Sequence, residues 1–239
     1  MGRAFEFRKA RKLKRWSTIS KTFTRLSKEI IICVKENGSD PSNNSKLRAL
    51  IQNAKAANMP KDNIERAIRK ANDNNSESFK KILYEGYGPH GVAILIETAT
   101  NNNKRTVANI RSYFNKVDGN LGTVGSVDFM FDHICNFRVK SEKIIPEEIE
   151  LEFIDYGVEE IEVENNEILL YASFNSFGSI QKALESKKIE IISSSFERIP
   201  KSVISISSNK LNDVLKLIEK IEADDDVQNV YSNLDLKSN

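Results

Sequence analysis

Up to residue 71 apolar side chains recur at spacings of three and four; beyond residue 82 they alternate or run together in short blocks. This change of period constrains the fold most, because a spacing near 3.6 makes a helix stripe and a spacing of two makes a strand face. Leu13, Trp16, Ile19, Phe23, Leu26 and Ile30 line a first amphipathic helix. Asn37-Gly38 stops it, Gly being favoured just past a helix C-terminus. Asp40-Pro41 predicts a restart, with Asp as N-cap and Pro at the first helical position. Leu47, Leu50, Ile51, Ala54 and Ala57 supply the second stripe, Met59-Pro60 breaks the chain, and Ile64, Ala67, Ile68 and Ala71 line a short third helix. Residues 73–78 are turn formers, so residues 1–80 are expected to form a helical domain.

Beyond that linker, 82–87 and 91–98 read as strands joined at Gly88-Pro89-His90. A helix over 103–116 turns Val107, Ile110, Tyr113 and Phe114 inward, and Val127, Phe129 and Phe131 then alternate with polar residues as in a strand. Residues 133–200 run strand 135–140, helix from Pro146 to Gly157, strands 159–163 and 168–173, helix Ser176 to Lys187, strand 189–196. That β-α-β-β-α-β order is the order of a ferredoxin-like sandwich. A strand at 203–206, a helix with Leu211, Val214, Leu215, Ile218 and Ile221, and a strand at 227–231 complete the chain. Residues 81–132 lack a β-α-β piece that 201–239 supply, so the two are expected to combine into one discontinuous domain around the insert. The expected class is α+β: an N-terminal three-helix domain plus two α/β ferredoxin-like domains, one inserted in the other.

Charge divides along the same line. Residues 1–82 hold 20 Lys+Arg and 8 Asp+Glu, a formal +12, whereas 83–239 hold 16 basic and 26 acidic residues, or −10. A cationic end of this density is expected to meet a polyanion, nucleic acid above all. No run approaches the roughly 18 apolar residues that cross a membrane. Two cysteines, Cys33 and Cys135, build no disulfide framework, and a cytoplasmic location is expected. His90 and His133 are the only histidines. No metal site, cofactor or catalytic residue is expected, and the chain is read as a non-enzyme.

Several motifs resemble one known family. They are Asp40-Pro41 with Lys46-Leu47-Arg48, then Ala56-Ala57-Asn58-Met59-Pro60-Lys61-Asp62-Asn63-Ile64-Glu65-Arg66-Ala67-Ile68, then Tyr84-Glu85-Gly86-Tyr87-Gly88-Pro89. Lys104-Arg105-Thr106-Val107, Gly119-Asn120-Leu121-Gly122 with Gly125-Ser126-Val127, and Asp225-Asp226-Val227-Gln228-Asn229-Val230-Tyr231 follow in order. Together they resemble the signature of the YebC/PmpR family over nearly the whole chain. The resemblance implies three domains, the last inserted, and a nucleic-acid surface without a cofactor. It implies either a DNA-binding transcriptional regulator or a translation factor that assists the ribosome, as a mitochondrial relative does. Two departures stand out. The usual Gly-His-Ser-Lys-Trp start is replaced by Met1-Gly2-Arg3-Ala4-Phe5-Glu6-Phe7-Arg8-Lys9, and a Gly-Pro-Gly-Gly turn reads Gly88-Pro89-His90-Gly91.

The candidate nucleic-acid contacts are Arg3, Arg8, Lys9, Arg11, Lys12, Lys14, Arg15, Lys21, Arg25, Lys46, Arg48, Lys55, Lys61, Asn63 and Arg66. Lys and Arg meet phosphate, and the interleaved Phe5 and Phe7 suit stacking on unpaired bases, while Trp16 sits on the apolar stripe. The segment at Met59–Arg66 is the sharpest: Pro60 leaves the first helical N–H groups outward at the positive end of the dipole, beside Lys61, Asn63 and Arg66. Asp224-Asp225-Asp226 reads as a solvated loop, and Gly86–Gly91 as a hairpin turn that lacks the Lys-Ser/Thr of a phosphate loop. Expected partners are promoter DNA or ribosomal RNA, the latter on the ribosome, with a monomeric chain and no membrane. A third reading is a protein-interaction scaffold that uses the acidic domains.

Overall fold

The computed structural model describes residues 19–73, 78–141, 146–164 and 166–235. The fold is α+β, and the chain divides into two compact units. One holds the described residues of Met1–Ser76 together with His133–Arg198; the other holds Glu77–Asp132 with Ile199–Asn239.

In the first unit three helices lead: α1 (Ile19–Asn37), α2 (Ser45–Ala56) and α3 (Lys61–Asn72). Five consecutive α1 residues, Ile30 to Val34, are buried, so that end of the helix is enclosed on every side. The turn before α2 differs from the sequence expectation. Asp40 does not cap the helix; its carboxylate accepts from Ser42 N (2.9 Å), Ser42 Oγ (2.6 Å) and Asn43 Nδ2 (2.8 Å). Those bonds hold the Asp40 carboxyl below its ordinary range, the Ser42 hydroxyl contributing most. The cap is Asn44, whose Oδ1 accepts from Leu47 N at 3.0 Å while its Nδ2 donates to Gly38 O at 2.9 Å. Asn44 prevails because one buried amide closes the end of α1 and opens α2 together. At the far end of α2, Asn58 takes φ +58° and Met59 N bonds Ala54 O at 2.9 Å, a Schellman-type stop that buries Met59.

The remainder of this unit is strand β4 (Phe131–Lys140), α5 (Pro146–Ile154), β5 (Val158–Glu164), β6 (Glu167–Ser173), α6 (Phe177–Ser186) and β7 (Ile191–Pro200). The sheet order β5-β6-β4-β7 is that of a ferredoxin-like sandwich. Cys135, Phe137 and Val139, with Ile168, Leu170 and Ala172, face Ile149, Phe153, Phe177, Ile180 and Leu184 of the two helices. Ala49 of α2 joins the same cluster, which fastens the helices to the insert. Polar bonds reinforce the contact. Gln181 Nε2 donates to Ser45 O at 3.1 Å. The Asn53 amide pairs with the backbone of Ser194, donating to its carbonyl at 2.5 Å and accepting from its N–H at 2.9 Å. Because β7 is the last strand of this sheet among the described residues, Asn53 satisfies strand-edge groups on its outer side. Asn53→Ala is expected to destabilise this unit by about 1–3 kcal/mol, since Ser194 is buried and both its groups lose their partner. Urea unfolding of the two chains measures it.

The second unit contains β1 (Lys80–Tyr87), β2 (Ala93–Thr100), α4 (Asn103–Asn115), β3 (Asn120–Leu121), α7 (Ser208–Glu222) and β8 (Val227–Ser232). The sheet order is β3-β1-β2-β8, with antiparallel pairs throughout. Ile94, Ile96, Val227 and Val230 pack on Ile110 and Phe114 of α4 and on Val214, Leu217 and Ile221 of α7. Two expected strands are corrected. Residues 203–206 make a single parallel bridge, Ile204 to Leu234, rather than a strand. The alternation Val127, Phe129, Phe131 contains a 3-10 turn at Asp128–Met130, and Phe129 is 64% exposed. The cause is Glu85, buried on β1, which draws the chain in: Oε1 accepts from Gly125 N (2.6 Å) and Oε2 from Val127 N (2.7 Å) and Asp128 N (2.8 Å). A strand cannot turn three such closely spaced N–H groups to one side. Gly125 permits the bend at φ +85°.

Candidate nucleic-acid interface

Of the proposed contacts, Arg3, Arg8, Lys9, Arg11, Lys12, Lys14 and Arg15 lie outside the described residues, as do Phe5, Phe7 and Trp16. Lys21 and Arg25 are half-buried on α1, and Lys46 is half-buried on α2 with its Nζ 3.9 Å from Glu36. Lys55 is exposed at the end of α2. Arg48 is the exception. Its Nε and Nη2 donate to the two carboxylate oxygens of Glu185 at 2.9 and 3.1 Å, and Nη1 donates to Pro41 O and Ser42 O. That guanidinium braces α2 against α6, unlike the other described candidates.

The α3 start has the geometry that Pro60 dictates. Pro60 O accepts from Asn63 N at 3.0 Å and Ile64 N at 3.3 Å, no side chain caps the helix, and the N–H groups of Lys61 and Asp62 precede the first helical bond. Ile64, Ala67 and Ala71 face the core, which leaves Lys61, Arg66, Arg69 and Lys70 exposed. The Lys61 side chain is 87% exposed, with Nζ 3.5 Å from Glu65, a pairing too solvated to hold it. Asp62 and Glu65 lie among these cations, so the helix surface carries a local +2 from four bases and two acids. Asn63 is half-buried. Arg69 and Lys70, at i+3 and i+4 from Arg66, extend the same exposed basic surface beyond the residues the sequence singles out.

The aspartate loop is not solvated as expected. Asp226 is 4% exposed, and its Oδ2 accepts from Arg105 Nη2 (2.6 Å), Thr106 Oγ1 (2.9 Å) and Thr100 Oγ1 (3.1 Å). Asp224 Oδ2 accepts from Tyr113 OH (2.9 Å) and Asn109 Nδ2 (3.1 Å). Burial, then the Asp224 bond, push the Tyr113 phenol up to about 12. The Lys104–Val107 and Asp225–Tyr231 motifs thus meet as one structural clasp between α4 and β8. His90, at φ +63° in the β1–β2 turn, places Nε2 3.3 Å from Asp213 of α7.

Elsewhere, burial and the nearby Arg198 push the His133 imidazole down to about 4, and its ring stacks on Phe174 at 4.0 Å. Burial pushes the Cys135 thiol up to about 12, so neither group is charged near neutral pH. Both cysteines are free and buried. Among the described residues no three His, Cys, Asp or Glu side chains gather as a metal cage, and no helix is long and apolar enough to cross a membrane.

Residues 3–74 match the family model described as the TACO1/YebC protein N-terminal domain, and residues 79–234 match the TACO1/YebC second and third domain. The chain belongs to the TACO1/YebC family. A relative from Flavobacterium johnsoniae, named "Probable transcriptional regulatory protein", is 61% identical over 98% of this chain and 99% of its own length. One of the same name from Myxococcus xanthus is 46% identical over 98% of this chain and 100% of its own length. Among solved structures, a conserved hypothetical protein from Aquifex aeolicus shares the fold with a TM-score of 0.76. It is 33% identical and the match covers 90% of both chains. The motifs that mark the TACO1/YebC family here are largely structural: the α2 stop, the Glu85 loop and the Asp226 clasp.

Proposed function

We propose that the chain is a non-enzymatic, nucleic-acid-binding regulator of gene expression that acts in the cytoplasm, with promoter DNA as its target. The observation that carries this reading is the +12 formal charge of residues 1–82, beside exposed Lys61, Arg66, Arg69 and Lys70 on α3. The names of the relatives, probable transcriptional regulatory proteins, favour DNA over ribosomal RNA. The −10 of residues 83–239 disfavours wrapping along a long polyanion, so one end of the chain docks into the site.

Crosslinking in cells, followed by sequencing of the bound nucleic acid, tests the assignment. Promoter fragments are the expected recovery. Ribosomal RNA as the dominant species would replace the reading with a translation factor, and recovery of neither would favour the scaffold. In solution, binding through about five phosphates predicts that log K falls with log salt with a slope of roughly −3.5 to −4.5. A flat salt response would sink the proposal.

A further inference from the structure

Residues 98–117 hold four basic residues, Lys104, Arg105, Arg111 and Lys116, and no acidic one. They make up α4 and its ends, yet they stand in the part of the chain where acids outnumber bases by 26 to 16. The contrast is with α7 of the same unit, which interleaves Lys210, Lys216 and Lys220 with Asp213, Glu219 and Glu222. It is also with the insert, where Arg138 meets Glu167 at 3.2 Å and Lys140 meets Glu190 at 2.8 Å.

On α4 the residues Thr106, Ile110 and Phe114 are buried. Lys104, Ala108, Arg111 and Asn115 follow one another at spacings of four, three and four, and all are exposed, so they share one solvent-facing stripe. Ala108 leaves no bulk between the two cations, which stand about 10.5 Å apart along the helix axis. Arg105 is accounted for by Asp226, which it holds at 2.6 Å, and Lys116, at the C-cap, suits the helix dipole. Lys104 does not suit it. The first turn holds two cations and no acid, the reverse of the charge that stabilises a helix start. A solvated basic face explains exposure but not this reversed order, and positions that break a local rule are where function is expected. The aspartate loop meets α4 on another side, at Arg105, Asn109 and Tyr113, so it leaves the stripe cationic.

We infer that the Lys104–Arg111 stripe of α4 is a second phosphate-contact surface, and the contact rests on the nucleic-acid binding proposed above. It lies on the second unit, to which the cationic first helices do not belong, so each unit carries one contact. Lys104 and Arg111 meet backbone phosphates, which fixes position rather than reading sequence. Asn115, at the far end of the stripe, can donate to a phosphate or sugar oxygen. The −10 of residues 83–239 does not forbid this contact, because at physiological salt an exposed charge acts over only about 8 Å. A contact that is weak alone gains from linkage: once residues 1–82 are engaged, α4 meets the same target at high effective concentration.

The test uses the full chain, a short fluorescein-labelled DNA duplex and fluorescence anisotropy over a range of salt. Lys104→Gln with Arg111→Gln should weaken binding about tenfold at low salt and make the slope of log K against log salt shallower by about 1.8, the value for two lost phosphate contacts. Lys210→Gln with Lys216→Gln removes the same charge from exposed positions on α7 and should leave affinity and slope close to the parent. All four positions are exposed, so Tm should hold, and Lys104→Gln alone should keep or raise it because a cation leaves the helix start. On the unsubstituted chain, DNA should protect Lys104 from acylation by an N-hydroxysuccinimide ester while Lys210 stays reactive. Equal losses from the two pairs would reduce the effect to bulk charge and overturn the inference. So would an unchanged slope in the α4 pair, or an unprotected Lys104 when the parent binds tightly. If the parent shows no salt-dependent binding at all, the proposed function falls together with this contact, which tells the two failures apart.

Discussion

Glu85→Ala is expected to destabilise the second unit by roughly 3–5 kcal/mol. Glu85 is 2% exposed, and its two oxygens take the N–H groups of Gly125, Val127 and Asp128 at 2.6 to 2.8 Å. Hydrogen bonds to a charged acceptor are worth about 1.5–3 kcal/mol each, and Val127, fully buried, has no water to replace the lost acceptor. Deleting the carboxylate therefore leaves a buried donor orphaned and loosens the turn, which keeps only the Tyr87 OH bond to Ser126 O at 3.2 Å among the side-chain bonds described here. Glu85→Gln is the informative control. Its one carbonyl oxygen keeps either the Gly125 bond or the Val127–Asp128 pair, so it should lose roughly half as much. Thermal unfolding followed by circular dichroism reads both. A Tm for Glu85→Ala within about 2 °C of the parent would show that the loop is held otherwise.

Lys61→Glu combined with Arg66→Glu is expected to abolish nucleic-acid binding while leaving the fold intact. Each reversal removes an attraction of about 1 kcal/mol at 4 Å in water and adds a repulsion of similar size. Two reversals thus weaken binding by about a hundredfold or more at low salt, and by less as salt screens the pair. The fold should tolerate them because both side chains lie on the exposed face of α3, away from Ile64, Ala67 and Ala71, and exposed substitutions usually stay within about 0.5 kcal/mol. Affinity and Tm measured on the same samples separate contact from support. Unchanged affinity would take α3 out of the interface and leave the charge to other residues. Arg48 belongs to the opposite class, since its guanidinium is held by Glu185 and by two backbone carbonyls.

Local chemistry carried most of the secondary structure. The 3-4 spacing of Ile64, Ala67 and Ala71 marked α3 because a helix stripe is a property of neighbours in sequence. The β-α-β-β-α-β order of 133–200 was legible for the same reason, and so was the α+β class. The errors cluster where a distant side chain intervened. Val127, Phe129 and Phe131 alternate as a strand would, but Glu85, some forty residues earlier, takes their loop's N–H groups and bends it. Asp226 sits among acidic neighbours that predict solvent, while its partners Thr100, Arg105 and Thr106 lie more than a hundred residues away.

The sequence by itself determined the periods, the helix stops, the charge division and the family, because each is written in adjacent residues or in motifs read in order. Only the tertiary structure decided which charges are available. Arg48 and Lys61 look alike as cations in the sequence, yet one is bound to Glu185 and the other reaches into water. It also decided that Asn53 of α2 satisfies the backbone of Ser194 on β7. The physical reason is common to these cases: a hydrogen bond or ion pair is fixed by proximity in space, and sequence spacing reports proximity only within a turn or a strand.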